Sequence, residues 1–172
     1  MACVALYIED GGWYRSQITA VDSAQVEVLF VDYGNRQKSP VSEVKIIEPQ
    51  FLDLPPQAYR CCLTGIEKKS SSSWTEDDKM KLESATITKI LEVNYLRRSD
   101  TGEYQVVLME EGRVLNEMFG YPKSTGVAVP VNGYTCLPLP SKRSKVNVSW
   151  YFNPAKFFLS PIDSSAVQVS LI

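Results

Sequence analysis

Histidine is absent from this chain of 172 residues, and neither sign of charge is in large excess. Without histidine the commonest general base is missing, which disfavours acid–base catalysis. The formal net charge is −2, whereas proteins that bind nucleic acid through phosphate neutralisation usually carry a clear basic excess. A mildly acidic chain instead favours a basic or arginine-rich partner.

Long apolar runs and paired cysteines are also missing. No run approaches the roughly 18 residues that a membrane-spanning helix requires, and the N-terminus lacks the basic-then-apolar pattern of a secretory signal. The four cysteines are Cys3, Cys61, Cys62 and Cys136, and none forms a C-x-x-C pair. We therefore expect no membrane association, no metal site and no cofactor, and a reduced intracellular protein with small buried thiols.

Residues 3–48 read as a run of short strands rich in β-branched and aromatic residues. The predicted strands cover residues 4–8, 14–21, 25–32 and 36–38, and residues 44–47 form a closing strand. Turns rich in glycine, aspartate and asparagine separate them. Short strands joined by tight turns predict a small, strongly bent barrel.

The remainder predicts one helix among further strands. Pro55 and Pro56 open a predicted helical turn within residues 51–58, and residues 68–73 form a polar loop. Thr75, followed by three acidic residues, caps a helix that should run to about Ser84. Strands are predicted at residues 86–96, 104–110, 113–115, 146–151 and 157–159, with residues 114–119 alternatively starting a short helix.

Two segments of the first part resemble the core of Tudor domains. They are Asp10–Arg15 (DGGWYR) and Phe30–Asn35 (FVDYGN). Residues 51–58 (FLDLPPQA), residues 62–66 (CLTGI) and Trp74 resemble the continuation found in extended Tudor domains. The resemblance covers residues 3 to about 120. It implies a mainly β fold with short helices, in which a small SH3-like Tudor barrel is joined to a nuclease-like OB-type β-barrel.

The resemblance also implies a domain organisation. Residues 1–48 would form the Tudor core barrel, residues 49–120 the nuclease-like part, and the glycine- and proline-rich residues 121–145 a linker. Residues 146–172 resemble the opening strands of an extended Tudor module, which in the family precede the Tudor core. We hypothesise that this segment completes the nuclease-like barrel, in cis or in a domain-swapped dimer, because a barrel missing strands exposes a pairing edge.

The family's binding site for methylated arginine transfers residue by residue onto this sequence. The resemblance implies a cage of Tyr7, Tyr14, Phe30 and Tyr33, with Asn35 as its polar member and Asp32 as an auxiliary residue. A methylated guanidinium keeps its charge but is weakly hydrated, so it stacks on aromatic rings at little desolvation cost. Symmetric dimethylation leaves one N–H donor on each terminal nitrogen for Asn35, which favours that form.

Several alternatives stay open from the residues alone. The aromatic side chains could be barrel core, as we expect for Trp13, which neighbours Tyr14 and so faces the opposite side of the strand. Asp32 could attract the arginine or bond turn amides. A third alternative is a Tudor scaffold whose protein interface does not depend on methylation.

Nuclease activity and nucleic-acid binding are the rival functions. The charged residues of the predicted nuclease-like part are scattered, mostly next to turns, and form no catalytic set; they are Glu92, Arg97, Arg98, Glu103, Glu110 and Glu111. A surface of Tyr95, Arg97, Arg98 and Tyr104 could stack on bases, but the overall acidity weighs against direct nucleic-acid binding.

We therefore expect a non-catalytic adaptor that binds arginine-methylated segments rich in Arg-Gly or Arg-Ala. By resemblance, its partners would be PIWI-type proteins of the piRNA pathway, with Sm-type tails as the runner-up. The implied location is the cytoplasm, in germ granules (nuage).

Overall fold

The computed structural model describes residues 1–66, 74–100, 102–120 and 144–162. The predicted polar loop, Cys136, nearly all of the predicted linker and residues 163–172 lie outside these residues. Within the described ranges, no helix is long and apolar enough to cross a membrane.

The described chain is mainly β, as predicted. Its strands are β1 (Ala2–Leu6), β2 (Trp13–Val21), β3 (Gln25–Phe30), β4 (Arg36–Pro40), β5 (Val44–Lys45), β6 (Tyr59–Leu63), β7 (Leu91–Arg98), β8 (Tyr104–Glu110), β9 (Arg113–Val114), β10 (Ser144–Asn153) and β11 (Lys156–Pro161). One helix, α1 (Glu76–Thr86), lies between β6 and β7. Short 3₁₀ segments span Val41–Glu43, Pro49–Phe51 and Leu115–Phe119. The described residues form two compact units, residues 1–58 and residues 59–162.

The first unit is an antiparallel sheet in the order β4-β3-β2-β1-β5. Successive residues of β1 face opposite sides, as strand geometry requires. One side is a buried cluster of Cys3, Ala5, Val26, Val28 and Phe30. On the other side Val4 and Ile47 pack with Trp13 and Phe51, so Trp13 faces the side opposite to Tyr14, as predicted, and is partly buried.

The second unit is a sheet in the order β6-β11-β10-β7-β8-β9, and β6 also pairs in parallel with β8. This extra pairing closes five strands, β6, β11, β10, β7 and β8, into a ring. The hairpin β10–β11 provides two of them, because β10 pairs with β7 and β11 pairs with β6. Each strand of the ring therefore has a partner on both sides. Phe157 and Leu159 of the hairpin are fully buried in its core.

The helix begins as predicted and ends later. Thr75 and Asp78 form a capping box, with the Asp78 backbone N–H donating to Thr75 Oγ1 at 3.2 Å. The helix runs two residues past the predicted end near Ser84, and the predicted strand start at Thr86 is wrong. The Ile87 N–H donates to the Glu83 carbonyl at 2.8 Å, which closes the last helical turn around Thr86. Thr88 then takes a left-handed φ of 58°, and β7 begins only at Leu91.

The predicted helical turn opened by Pro55 and Pro56 is also wrong. The only turn of this region within the described residues is the 3₁₀ segment Pro49–Phe51, and residues 55–58 are irregular. The carbonyls of Leu54 and Pro55 accept hydrogen bonds from the Arg15 guanidinium. The N–H groups of Gln57 and Ala58 donate to Asp32 and to the Val31 carbonyl, so they form no helical hydrogen bonds.

The position of Phe157 gives a test of the hairpin's role in stability. We expect Phe157→Ala to lower the free energy of unfolding by about 3–5 kcal/mol, because it leaves a cavity in the core. Phe152→Ala in the same hairpin is the matched control, since Phe152 is only partly buried and should cost less. Urea denaturation followed by fluorescence measures both. Equal losses would contradict a core role for Phe157.

Candidate functional site

Four aromatic side chains meet at one end of the first sheet. Tyr7 follows β1, Tyr14 lies in β2, Phe30 ends β3 and Tyr33 lies in the turn after β3. We call these four residues the aromatic cluster. The centroid of the Tyr7 ring lies 5.2 Å from that of Phe30 and 6.2 Å from that of Tyr14. The rings of Tyr14 and Tyr33 are 5.5 Å apart. The structure thus brings together all four aromatic residues of the predicted cage.

Two glycine turns hold these side chains in place. In the β1–β2 turn, the Tyr7 N–H donates to the Gly12 carbonyl at 2.8 Å, and the Gly11 N–H donates back to the Tyr7 carbonyl at 2.9 Å. In the β3–β4 turn, the Gly34 N–H donates to the Phe30 carbonyl at 2.7 Å. Gly11 and Gly34 have φ values of 69° and 92°, which a residue with a Cβ adopts only with strain. The glycines of both motifs therefore serve the turns that carry the rings.

The rings stand almost perpendicular to one another. The planes of Tyr7 and Tyr33 make angles of 82° and 87° with that of Tyr14. Aromatic pairs favour such edge-to-face arrangements. Phe30 is only 1% exposed, whereas the three tyrosines are partly exposed. Phe30 therefore lies at the bottom of the cluster. A cation could reach the faces of the three tyrosine rings.

Asn35 is the polar member of this site. Its side chain is 5% exposed, and its amide lies beside the Tyr7 hydroxyl. The Oδ1 atom of Asn35 is buried and has no hydrogen-bond partner in the described part of the chain. A buried acceptor without a donor is unfavourable and unusual in folded proteins. An N–H group of a bound ligand would satisfy it.

Carboxylates lie at the exposed edge of the aromatic cluster. The Tyr14 hydroxyl donates to Asp10 Oδ2 at 2.6 Å, and the Gly12 N–H donates to Asp10 Oδ1 at 2.8 Å. The hydrogen bond to Asp10 raises the pKa of Tyr14 to about 12, and it lowers the pKa of Asp10. Burial, together with the neighbouring Glu9 and Asp10, raises the pKa of Tyr7. The phenols therefore stay neutral at physiological pH while negative charge surrounds them, which favours a cationic ligand.

The contact between Asp10 and Tyr14 makes a direct prediction. We expect Asp10→Asn to bring the pKa of Tyr14 down towards its ordinary value of 10.0, because the charged acceptor that favours the protonated phenol is removed. Because the pKa of Asp10 itself is lowered, the charged hydrogen bond should persist at neutral pH and weaken only as the pH falls below the ordinary aspartate range. Titration of the Tyr14 ring carbon by NMR measures the change. Glu9→Gln is the control, and an unchanged Tyr14 titration in Asp10→Asn would rule out the contact.

A buried ion pair lies beside the aromatic cluster. Arg15 Nη2 and Asp32 Oδ1 are 2.5 Å apart, and the two side chains are 4% and 2% exposed. The guanidinium also donates to the carbonyls of Phe51 (2.9 Å), Leu54 and Pro55. Asp32 Oδ1 accepts in addition from the Gln57 N–H at 3.1 Å. Asp32 is thus engaged with Arg15 and a backbone amide, and its auxiliary role towards a ligand stays a prediction.

Sequence reasoning did not identify Arg15 as a partner of Asp32. The pairing of Ser16 with Phe30 in the β2–β3 ladder and the hydrogen bond from Val31 N–H to the Arg15 carbonyl bring Arg15 to the strand end that carries Asp32. Opposite charges at adjoining positions of a predicted hairpin were therefore the available signal.

Breaking this pair should be costly. We expect Asp32→Asn to lower the free energy of unfolding by about 3–5 kcal/mol, because it leaves the Arg15 charge buried without its partner. The exposed pair Arg36–Glu27, at 3.3 Å, supplies the control, and Glu27→Gln should cost less than about 1 kcal/mol. Denaturant unfolding measures the free energy of unfolding of both variants. Similar small losses in the two would contradict the role of the buried pair.

The second unit has its own aromatic group, and it offers little free ring surface. The Tyr95 side chain is 5% exposed, and its burial raises its pKa. The Arg98 guanidinium lies 5.4 Å from the centroid of the Tyr104 ring, and Arg97 donates to Gln105. The described residues also contain no group of three or more His, Cys, Asp or Glu side chains placed to hold a metal ion.

Comparison with known proteins identifies the class. Residues 1–65 match the family model of the Tudor domain. The chain is similar to an extended Tudor domain of mouse TDRD1 solved with a MILI peptide containing dimethylarginine (26% identity, TM-score 0.64, covering 69% of this chain and 62% of that one). It is also similar to the human TDRD1 extended Tudor domain solved with a symmetrically dimethylated peptide (28% identity, TM-score 0.63, 68% and 59% covered).

Among curated proteins, the chain is 28% identical to mouse RING finger protein 17 over 167 residues, which is 95% of this chain and 10% of that protein. The chain spans a tenth or less of the length of the first curated relatives that it matches. Residues 1–65 therefore match a Tudor domain, and the chain has the fold of extended Tudor domains.

Proposed function

We propose that this chain is a non-catalytic reader of methylated arginine, with symmetric dimethylarginine as its favoured ligand. The ligand would lie against Tyr7, Tyr14 and Tyr33, above Phe30, with Asn35 as its hydrogen-bond acceptor. The observation that carries the proposal is the buried, unpartnered Oδ1 atom of Asn35 beside four aromatic rings.

The chemistry of the ligand matches this site. A dimethylguanidinium is flat, cationic and weakly hydrated, so each ring contact can contribute about 0.5–2 kcal/mol. The symmetric form keeps one N–H on each terminal nitrogen, so either nitrogen can donate to Asn35 while its methyl group contacts a ring. In the asymmetric form one terminal nitrogen has no donor. Trimethyllysine has no donor at all and would leave Asn35 unsatisfied.

Charge supports a basic, arginine-rich partner. Residues 1–58 contain eight acidic and four basic side chains, a net charge of −4. Of the four basic residues, Arg15 is buried in its ion pair with Asp32. The remaining field favours approach of a cationic peptide and raises its association rate.

The ligands of related modules support the choice of partners. Two TDRD1 extended Tudor domains were solved with dimethylated peptides, and the peptide bound to the mouse domain comes from MILI. We extend this to arginine-methylated, Arg-Gly- or Arg-Ala-rich tails of PIWI-type proteins, with Sm-type tails as the second class. The adaptor would then act in cytoplasmic germ granules of the piRNA pathway.

We also propose the domain limits of the sequence analysis. Residues 1–48 would be the Tudor core, residues 49–120 the nuclease-like part and residues 121–145 a linker. The segment from residue 146 to residue 172 would complete the nuclease-like barrel, in cis or in a domain-swapped dimer. The pairing of β10 with β7 and of β11 with β6 supports this assignment.

Calorimetric titration of one Arg-Gly peptide tests the proposal. The peptide is prepared unmodified, asymmetrically dimethylated and symmetrically dimethylated. We expect the symmetric form to bind most tightly, and Tyr33→Ala to weaken its binding about tenfold through the lost ring contact. Asn35→Leu should reduce the preference among the three forms, because it removes the acceptor.

Tyr104→Ala is the matched control, since it removes a partly buried tyrosine from the second unit and should leave affinity unchanged. Equal, weak binding of all three peptides would overturn methylarginine recognition and favour a protein interface that does not depend on methylation. A steep loss of RNA binding with salt would point to a nucleic-acid partner.

A further inference from the structure

One side chain holds the backbone on both sides of Tyr7. Gln37 Oε1 accepts from the Ile8 N–H at 3.1 Å, and Gln37 Nε2 donates to the Leu6 carbonyl at 3.0 Å. The N–H and carbonyl of Tyr7 itself bond to Gly12 and Gly11. Every backbone polar group from the Leu6 carbonyl to the Ile8 N–H therefore has a partner, and Gln37 supplies the two that flank Tyr7.

Gln37 makes these contacts from a strand that does not neighbour β1 in the sheet. It lies in β4, opposite Val28 of β3, whereas β1 pairs with β2 and β5. Its amide is fixed from a third direction, because Nε2 also donates to Ser39 Oγ at 2.7 Å and Ser39 is fully buried. At this end of the sheet, the Gln37 side chain thus links β4 to the end of β1, where the two strands have no backbone ladder.

We propose that Gln37 is the positioning residue of the aromatic cluster: its amide sets where the Tyr7 ring stands relative to Phe30 and Tyr14. This inference rests on the proposed function only for its effect on ligand affinity. Tyr7 lies beyond the last residue of β1, so strand pairing alone does not fix it. A small displacement of the ring changes the space available to a flat cation, and misplacement of a recognition group by about 1 Å is enough to lose function.

The first test needs no ligand. The protein is labelled with 3-fluorotyrosine, and the ¹⁹F signals of Tyr7 and Tyr33 are assigned with Tyr7→Phe and Tyr33→Phe. We expect Gln37→Met, which keeps the length of the side chain and removes both hydrogen bonds, to shift or broaden the Tyr7 signal and leave that of Tyr33 in place. Gln17→Met is the matched control, since Gln17 is an exposed glutamine of β2 and its substitution should move neither signal.

The second test is a double-mutant cycle with the symmetrically dimethylated Arg-Gly peptide. We expect Gln37→Met to weaken binding about fivefold. This loss should disappear in a Tyr7→Ala background and persist in a Tyr33→Ala background, because Gln37 acts through Tyr7. If Gln37→Met does not fold, Gln37→Glu replaces it. The glutamate keeps the acceptor for Ile8 but turns a carboxylate oxygen towards the Leu6 carbonyl oxygen, so a loss at least as large as that of Gln37→Met is expected.

The two tests separate the failure of this inference from that of the proposed function. If the wild type ignores arginine methylation while Gln37→Met still moves the Tyr7 signal, the proposed function is wrong and the positioning role stands. A Tyr7 signal that is identical in Gln37→Met and the wild type overturns the positioning role. A binding loss that is equal in the Tyr7→Ala and Tyr33→Ala backgrounds overturns it as well.

Discussion

A guanidinium that is only 4% exposed is strongly unfavourable in a folded protein unless its N–H groups find acceptors, because an unpaired buried ion is costly. Arg15 meets this condition with the Asp32 carboxylate and three backbone carbonyls of residues 51–55. The network therefore fixes β2, the end of β3 and the segment after Pro49 together. Tyr14 directly precedes Arg15, and Tyr33 directly follows Asp32. The ion pair therefore helps to position these two rings of the aromatic cluster.

The ion pair between Arg15 and Asp32 also determines which charged groups stay available to contact a ligand. Both oxygens of Asp32 bond to Arg15, so an external arginine would compete with an internal one for that carboxylate. The aromatic cluster instead offers ring faces, the Asn35 amide, and Glu9 and Asp10 at its exposed edge. For the proposed ligand, cation–π contacts of about 0.5–2 kcal/mol each and one hydrogen bond would give modest affinity at a single site. Affinity for a longer peptide would then depend on its flanking residues or on several sites acting together.

The aromatic cluster and most strands follow from local sequence, whereas the contacts that fix them do not. The turn glycines and the spacing of Tyr7, Tyr14, Phe30 and Tyr33 are properties of two short segments, and the structure brings those four rings together. The bonds from Arg15 reach 36 to 40 residues along the chain, and those from Gln37 reach back 29 and 31 residues. Such partners depend on strand register, and the sequence predicts where the strands lie but not which residues of neighbouring strands pair. The wrong helical turn at Pro55 has the same origin, because the N–H groups of Gln57 and Ala58 donate to residues 25 and 27 positions earlier in the chain.

The two units close their sheets by different means, and this difference bears on the site. The second unit closes through backbone ladders between β6, β8 and the β10–β11 hairpin, which spread the closure over many hydrogen bonds. At the end of the first sheet that carries the aromatic cluster, the Gln37 amide of β4 bonds to the Leu6 carbonyl of β1 and to the Ile8 N–H. Local openings are easiest where few bonds must break. Preorganisation of the Tyr7 ring therefore depends on the two hydrogen bonds of Gln37 together with those of Tyr7 to Gly11 and Gly12, and a ligand that needs the ring in place would help to keep them closed.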